Sequence, residues 1–214
     1  MITKNEIVNT DIRLIIPNPK THAKESIKWL IGEHGRENLR LMGCLVGDDF
    51  EPNLKDEVRR LKQMIKSKTE YLLMIEYKGK IVGQLELWTQ QFDKVPTPSV
   101  SIFIGCPSMR NQSIGSAVLR AAHGILESAG FGVCHSRALL ANLHSNNFFL
   151  KNGYKKAGSP YHDGIGLIWQ NYVAKLNPLQ PALAKPKLSK NYSFIKSLSI
   201  TSFIKNKRLY NAKY

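Results

Sequence analysis

Hydrophobic and polar residues alternate along the chain with two different periods, and each period predicts a different element. Residues 54–66 repeat apolar side chains every three or four positions, which predicts an amphipathic helix. Residues 71–77 and 81–88 are rich in apolar and aromatic residues and flank Lys78-Gly79-Lys80, a pattern that predicts a β-hairpin. Similar reasoning predicts strands at residues 11–16, 100–104, 133–140, 154–157 and 165–173, and helices within residues 21–42, 114–126 and 145–151.

The order of these elements defines the fold class. A strand, helices and a three-strand meander are followed by alternating strands and helices. Hairpins make the first half antiparallel, whereas the helical crossover between residues 104 and 133 permits a parallel pair. We therefore expect an α/β fold of mixed α+β character: a mostly antiparallel sheet with helices on both faces and a central parallel strand pair. The helical segment 21–42 is either one helix or two helices interrupted near Gly32 or Gly35.

The composition excludes several classes of protein. Hydrophobic residues make up 43% of the chain and charged residues 22%, as in ordinary globular domains. No apolar run has the length of a membrane-spanning helix, and the first residues do not resemble a signal peptide. The three cysteines are widely spaced and show no C-x-x-C motif, so neither a disulfide framework nor a metal site is expected. We expect a cytoplasmic protein.

The formal net charge of +15 is concentrated at the end of the chain. Residues 174–214 contain nine Lys and Arg and no acidic residue, which leaves 22 basic and 16 acidic groups in residues 1–173. The first 173 residues are therefore only mildly basic. We expect one domain over residues 1–173 and a flexible basic extension over residues 174–214, in which three prolines favour extended backbone.

The most informative segment joins a predicted strand to a predicted helix at residues 103–126. The loop carries Arg110, and Ser113-Ile114-Gly115-Ser116 opens the helix. The first N–H groups of a helix have no internal partners, and the helix dipole adds partial positive charge there. Such a loop suits a pyrophosphate. Taken alone, the glycine is equally consistent with a turn or with close packing.

A second segment, at residues 142–154, helps to identify the function of the first. Its pattern is Asn142, Ser145, Phe149, Lys151, Gly153 and Tyr154. The two segments together resemble the GNAT N-acetyltransferase superfamily, whose coenzyme motif R/Q-x-x-G-x-G/A matches residues 110–116 and whose next motif matches residues 142–154 in register. The stretch Phe103-Ile104-Gly105-Cys106-Pro107 resembles members that modify ribosomal proteins and aminoglycosides. The resemblance covers residues 12–173 in element order and is residue-specific over residues 99–154.

The resemblance implies an acetyl-CoA-dependent N-acetyltransferase in which a primary amine attacks the thioester directly in a ternary complex. It implies that the strand end pairs with the pantetheine arm, that an adjoining N–H stabilises the oxyanion, and that a loop and a helix line the rest of the cleft. The implied strand-end residues are Ile104, Gly105 and Cys106. The implied pyrophosphate loop is Arg110, Asn111, Gln112, Ser113, Ile114, Gly115 and Ser116, and the implied opposite wall is Asn142, Ser145, Phe149 and Lys151.

Two positions depart from the family pattern. Ser113 stands in place of the first glycine of the coenzyme motif, and Phe149 stands where many members have a tyrosine that protonates the departing thiolate. These departures favour an alternative, namely a catalytically weak module that binds acyl-CoA. A basic fold also does not attract polycations, which argues against aminoglycosides as acceptors.

A general base is needed because an ammonium group has no lone pair with which to attack. The candidate is Glu86, on the predicted strand face that also carries Gln84 and Trp88; the alternative is a hydrogen-bonded or solvated carboxylate. His135 and His144 could serve as bases through water, but isolated histidines are more often packing or surface residues. Tyr161, His162 and Asp163 form either an acceptor cluster or a polar turn. Cys106 and Cys134 are expected to be small buried residues.

The acceptor and the partners stay open at this point. A small-molecule amine and a protein amine both fit the expected chemistry. The basic extension, which interleaves aromatic residues with its positive charges, suits RNA or an anionic membrane surface, or is simply solvated. This makes a nucleic-acid-binding or membrane-binding protein a further alternative. A homodimer is compatible with the sequence.

Overall fold

A computed structural model describes residues 6–8, 11–47, 49–91 and 93–178. These residues form one mixed sheet of eight strands, in the order β1-β2-β3-β4-β5-β6-β8-β7. Neighbouring strands are antiparallel except β5 and β6, which are parallel. The expected sheet with a central parallel pair is thus confirmed. The strands are β1 (Glu6–Ile7), β2 (Ile12–Ile15), β3 (Glu70–Tyr77), β4 (Lys80–Trp88), β5 (Ser99–Ile104), β6 (Val133–Leu139), β7 (Lys155–His162) and β8 (Ile168–Lys175).

Five α-helices lie in the described part of the chain: α1 (Pro19–Ser26), α2 (Gly32–Leu41), α3 (Leu54–Lys66), α4 (Ile114–Ser128) and α5 (Leu143–Lys151). Helix α3 has the bounds that its periodicity predicts, and the side chain of Asn53 caps it by accepting the Asp56 N–H over 2.9 Å. None of the described helices is both long enough and apolar enough to cross a membrane.

Of the two alternatives for residues 21–42, one helix or two, the structure shows two helices with an interruption next to Gly32. Helix α1 continues into a 3₁₀ turn (Ile27–Leu30), and α2 starts after it with Gly32 at a φ of 70°. The backbone of Leu30 lies so close to Gly35 that a β-carbon at Gly35 would be 2.1 Å from the Leu30 carbonyl carbon. The glycines therefore permit both the break in the helix and its tight packing.

The helices cover both faces of the sheet, as expected. Helix α4 buries an apolar stripe against strand residues on one face, namely Val118, Leu119, Ala122 and Leu126 against Leu73, Leu85, Leu87 and Val100. Helices α1 and α3 cover the other face, where Ala23, Leu61 and Met64 pack with Leu72. The alternation of β4 therefore directs Leu85 towards α4 and the neighbouring polar side chains towards α1 and α3.

The two C-terminal strands differ most from the sequence-based expectations. Strand β7 runs past the expected end at residue 157, because a register shift between Ala157 and Tyr161 absorbs Gly158, which has a φ of 71°. Strand β8 ends at Lys175, and Leu176 is buried beyond it. The described fold thus continues past residue 173, and the remainder of the expected extension, residues 179–214, lies outside the described residues.

Candidate functional site

The parallel strands β5 and β6 pair over a very short length and then separate. Their register consists of Ser99 opposite His135, where the His135 N–H donates to the Pro98 carbonyl over 2.8 Å. One residue further along, the hydroxyl of Ser136 donates to the Val100 carbonyl over 2.8 Å. Within these two described strands the register extends no further. A cleft therefore opens between their C-terminal halves.

The β5 edge of this cleft presents backbone groups in an alternating pattern. The Gly105 N–H donates to the Val82 carbonyl of β4 over 2.9 Å. Successive residues of an antiparallel strand direct their N–H and C=O groups to opposite sides. Gly105 and Phe103 therefore face β4, whereas Ile102 and Ile104 face the cleft. An extended ligand can pair with this edge as an added strand would.

The three predicted strand-end residues are in different situations. Ile104 directs its backbone towards the cleft, and its carbonyl accepts a hydrogen bond from Arg110 Nε over 3.0 Å. The N–H groups of Gly105 and Cys106 both donate to the Val82 carbonyl, over 2.9 and 3.3 Å. Ile104 is therefore the member of the three whose N–H faces the cleft.

The two cysteines of interest also differ. Cys134 is fully buried as expected, and burial raises the pKa of its thiol to about 12. Cys106 is only partly buried, and its Sγ lies 3.2 Å from the Ser108 hydroxyl oxygen. The expectation of a buried residue is wrong for Cys106, because β5 ends there and the chain turns outward into the loop.

The loop before α4 contains two residues in the left-handed backbone region. Asn111 has a φ of 61°, and Ser113 has φ 60° and ψ 5°. Ser113 is the N-cap of α4, but its side chain makes no capping bond. The Ala117 N–H donates to the Ser113 carbonyl over 3.0 Å, so the preceding N–H groups of residues 114–116 point out of the helix end. Outward-facing N–H groups of this kind, together with the helix dipole, are able to hold an anion.

Gly115 is limited in size by the opposite helix. A β-carbon at this position would lie 3.2 Å from the Phe148 ring of α5. Such a contact is tighter than ordinary packing, so a β-carbon at residue 115 would require the Phe148 ring to shift by a few tenths of an ångström. The glycine therefore fits the space that the Phe148 ring leaves at the start of α4.

Arg110 holds the loop from inside instead of facing the anion site. Besides its bond to Ile104, its guanidinium donates to Asn38 Oδ1 over 2.5 Å. Asn38 is buried in α2 and donates to the Trp29 carbonyl over 2.6 Å. Desolvation lowers the pKa of Arg110, but it stays cationic at neutral pH. Gln112 similarly donates to the Ser108 carbonyl, over 2.7 Å, and thus braces the loop.

Helix α5 forms the opposite wall of the cleft. The side chain of Asn142 caps the helix by accepting the Ser145 N–H over 3.0 Å, and it donates to the Leu41 carbonyl over 3.5 Å. Phe149 is buried and stacks on Tyr172 with ring centroids 5.4 Å apart. Lys151 is exposed in the last turn. The structure thus places Asn142 and Ser145 at the start of the helix, Phe149 in the core and Lys151 at the far end.

Glu86 belongs to a buried polar network between β4 and the helices α1 and α3. Its Oε1 accepts hydrogen bonds from Gln84 Nε2 over 2.9 Å and from the Arg60 guanidinium over 3.5 Å. Arg60 also donates to Gln84 and, through two bonds, to Glu57, which in turn accepts a bond from the Ser26 hydroxyl over 2.6 Å. The guanidinium of Arg60 thus lies among the carboxylates of Glu57 and Glu86 and the side-chain amide of Gln84.

The pKa values of the two carboxyls in this network shift in opposite directions. Burial raises the pKa of Glu86, and although Arg60 opposes this effect, the nearby Glu70 and Glu57 reinforce it. Burial also acts to raise the pKa of Glu57, but the bidentate Arg60 guanidinium and the Ser26 hydroxyl outweigh it, so that this pKa is lowered. Glu86 is therefore the carboxylate that holds a proton more readily, as a general base requires.

Tyr161, His162 and Asp163, the candidate acceptor cluster, lie at the turn between β7 and β8 or next to it. Asp163 caps the β7–β8 turn by accepting the N–H groups of Ile165 and Leu167, each over 3.0 Å, and it also accepts Trp169 Nε1 over 2.9 Å. The Tyr161 hydroxyl accepts a bond from Arg137 over 3.2 Å. His162 is exposed at the end of β7. The polar-turn interpretation thus explains Asp163.

His144 is exposed on α5, whereas His135 lies at the closed junction of β5 and β6. Burial lowers the pKa of His135, and its Nδ1 has no hydrogen-bond partner among the described residues. The same holds for the hydroxyl of Ser99, its register partner. The described residues contain no group of three or more His, Cys, Asp or Glu side chains that would hold a metal ion.

A splayed parallel pair beside an open helix start is an arrangement that can hold an extended, phosphate-bearing ligand between two strands. The model of the acetyltransferase (GNAT) family matches residues 39–154, and the chain belongs to this family. No curated protein gives a sequence match.

Solved structures of GNAT enzymes have the same fold. The microcin C7 self-immunity acetyltransferase MccE, in complex with acetyl-CoA and AMP, is 18% identical with a TM-score of 0.63, covering 79% of this chain and 94% of its own. RimL, the ribosomal L7/L12 α-N-protein acetyltransferase, in complex with coenzyme A, is 13% identical with a TM-score of 0.65, covering 82% of this chain and 99% of its own. An acetyltransferase from Salmonella typhimurium that modifies the N-terminal serine of L7/L12 is 14% identical with a TM-score of 0.64, covering 81% of this chain and 99% of its own.

Sequence reasoning missed several residues that shape the site. Arg60, Asn38 and Ser136 make the contacts described above, yet none lies in a recognisable motif. A charged residue beside the apolar stripe of an amphipathic helix is the one available signal, and it points to Arg60 only weakly. Asn38 and Ser136 gain their roles from strands and loops that are distant in sequence.

Proposed function

We propose that this protein transfers the acetyl group of acetyl-CoA to a primary amine by direct attack within a ternary complex. The observation that carries the proposal is the position of the anion-binding start of α4 directly beyond the end of β5, whose edge faces an open cleft. The N–H groups of residues 114–116 would hold the pyrophosphate, and the edge formed by Ile102 and Ile104 would pair with the pantetheine arm. The thiol end would then lie nearest to the closed junction at Ser99 and His135.

The amine would approach from the sheet face covered by α1 and α3, with Glu86 as its general base. Glu86 lies opposite Ser101 of β5 in the β4–β5 register, and both side chains lie on that face. Ser101 thus stands between the carboxylate and the cleft, where its hydroxyl can pass on a proton. Burial raises the pKa of Glu86, which makes it a stronger base than a solvated carboxylate.

Protonation of the departing thiolate requires a donor that Phe149 lacks. Ser145 lies one helical turn before Phe149 on the same stripe of α5, and it is half-buried at the cleft end of that helix. We propose that its hydroxyl relays the proton: it donates its own proton to the thiolate sulfur and takes one up from water. Ser145→Ala is expected to lower kcat and leave the Kd for acetyl-CoA unchanged, and a variant with wild-type kcat would assign the role to water.

The acceptor is tested by a screen that measures CoA release. The fold neighbours act on protein N-termini or in self-immunity, which favours a panel of peptides with free α-amino groups, lysine peptides and small amines. Isothermal titration with acetyl-CoA runs in parallel. Tight binding without release against every amine would favour the weak acyl-CoA-binding module that Ser113 and Phe149 suggest, and failure to bind acetyl-CoA would overturn both functions.

The role of Glu86 is tested with Glu86→Gln, which keeps the side-chain volume and removes the charge. We expect kcat to fall by about two orders of magnitude with acetyl-CoA binding unchanged. The wild-type rate should fall as the pH is lowered through a pKa above the ordinary carboxyl value, because only the carboxylate accepts a proton. Glu70→Gln is the comparison variant, because Glu70 is also a carboxyl with a raised pKa but lies on β3, one strand further from the cleft. Since Glu70 helps to raise the pKa of Glu86, this variant should shift the pH profile towards lower pH and keep the wild-type kcat at high pH.

Stability provides a second readout for the same variant. A carboxyl whose pKa is raised by folding stabilises the protein below its unfolded pKa, and this contribution is lost as the pH rises through the folded pKa. Glu86→Gln should therefore be as stable as wild type or more stable at pH 8, with the difference shrinking at acidic pH. An inactive variant that is also strongly destabilised would assign Glu86 a structural role instead.

A further inference from the structure

We infer that the Ser136 hydroxyl is a positioning group that sets where β5 and β6 part, and thereby how deep the coenzyme cleft is. The inference rests on the proposed function for its link to acetyl-CoA. Ser136 is 2% exposed, and its Oγ donates to the Val100 carbonyl over 2.8 Å at the last point where the strands touch. It touches neither of the candidate catalytic groups, Glu86 and Ser145, so its effect is indirect.

The pattern of a parallel ladder shows what the hydroxyl replaces. In the observed register, the His135 N–H donates to the Pro98 carbonyl. If the ladder continued, the N–H of Arg137 would donate next to the carbonyl of Val100 and extend the register to Val100 opposite Ser136. The register instead ends at Ser99 opposite His135, and the side chain of Ser136 supplies the donor. The buried carbonyl is thus satisfied without drawing the strands together.

Losing the hydroxyl leaves two outcomes for the Val100 carbonyl. It is left unsatisfied in a buried site, which is unfavourable, or the strands close by one more ladder step and Arg137 becomes the donor. Each residue of a parallel strand adds about 3.3 Å, so closure moves the junction into the cleft by roughly that distance. The acetyl group lies nearest to the junction in the proposed binding mode, so closure displaces it first.

The test compares Ser136→Ala with wild type by titration with acetyl-CoA and with CoA. We expect the Kd for acetyl-CoA to rise by about tenfold, the scale of one lost hydrogen bond, and the Kd for CoA to rise by only about threefold. Ser99→Ala is the matched control, because Ser99 is equally buried at the same junction but its hydroxyl has no hydrogen-bond partner among the described residues. Because Ser99 borders the proposed position of the acetyl group, this variant is compared by amide hydrogen exchange, where the Arg137 amide should exchange as it does in wild type.

Amide hydrogen exchange tests the inference without any coenzyme. The Arg137 amide should exchange more slowly in Ser136→Ala than in wild type, because the extended ladder protects it. Ser136→Thr keeps the hydroxyl and should bind acetyl-CoA within about twofold of wild type. The inference is overturned if Ser136→Ala keeps wild-type affinity and wild-type exchange, or if Ser99→Ala slows the exchange of the Arg137 amide to the same extent. It is also overturned if a folded Ser136→Thr variant binds as weakly as Ser136→Ala. If the wild-type chain binds no acetyl-CoA, the proposed function is overturned. The exchange rate of the Arg137 amide would still show whether the Ser136 hydroxyl sets the point where β5 and β6 separate.

Discussion

The coenzyme loop and the polar network beneath β4 are built in different ways. The loop over residues 110–116, the proposed coenzyme loop, is defined by backbone geometry: two left-handed residues, a helix start and a glycine, all within seven positions. The network uses side chains instead, and joins Ser26 of α1, Arg60 of α3 and Glu86 of β4 across the sheet face. The loop thus depends on local backbone conformation, whereas the network depends on long-range packing.

Because of this difference, the two regions tolerate different substitutions. A backbone site accepts changes of side chain that preserve its φ and ψ angles, which explains how Ser113 can occupy a left-handed position that glycine takes in the family pattern. A buried ionic network tolerates the loss of its cation poorly, because the carboxylates that the cation pairs with are then left desolvated without compensation. The two regions should therefore respond to mutation with different magnitudes and in different assays.

The largest effect is expected from Arg60→Ala. This change leaves the side chains of Glu57 and Glu86, 7% and 11% exposed, without their cation. We expect the free energy of unfolding at pH 7 to fall by about 3 to 5 kcal/mol, measured by urea denaturation. The loss should shrink at low pH, because protonation of the two carboxyls removes the unpaired charges.

Arg59→Ala is the control for this prediction. Arg59 is the neighbouring residue on α3 and pairs with Asp56, but these two side chains are 53% and 40% exposed. Water screens such a pair, so its loss should cost about 0.5 kcal/mol or less. Equal losses for the two variants would show that the helix, and not the buried network, responds to the change, and the contrast between the two regions would fail.

An intermediate effect is expected from Arg110→Ala. Arg110 combines the features of both regions, because its side-chain hydrogen bonds support the backbone of the loop. Arg110 ties the Ile104 carbonyl to Asn38 of α2, so its removal loosens the end of β5. We expect the KM for acetyl-CoA to rise by about tenfold, with a smaller change in kcat.

Asn38→Ala distinguishes positioning by Arg110 from direct contact with phosphate. If Arg110 acts by holding the loop, loss of its partner Asn38 should raise the KM by a similar factor, because both variants break the same chain of bonds to the Trp29 carbonyl. A wild-type KM in Asn38→Ala, together with a raised KM in Arg110→Ala, would assign the guanidinium to the pyrophosphate instead.

The same contrast explains how much of the molecule the sequence predicts. Helix α3, the β3–β4 hairpin and the start of α4 follow from periodicity and turn residues, which are local signals. The inward orientation of Arg110 and the hydroxyl bond of Ser136 depend on residues 72 and 36 positions away. Strand β7 was predicted too short because Gly158 and Pro160 resemble a turn, whereas in the fold a register shift accommodates them.

The smallest effect is expected from Ser113→Gly, and it is expected to be stabilising. At a φ of 60° the β-carbon of serine is close to the following carbonyl, a strain of about 1 to 2 kcal/mol that glycine avoids. Glycine also gains more freedom in the unfolded chain, which offsets part of the benefit, so we expect a net gain of about 0.5 kcal/mol in urea denaturation. The hydroxyl makes no capping bond that would be lost. Asn111→Gly is the control, because asparagine tolerates the left-handed region better than serine does, and its gain should be smaller. If Ser113→Gly is destabilised or loses acetyl-CoA affinity, the serine hydroxyl contributes to the site itself, and the coenzyme loop is not built from backbone alone.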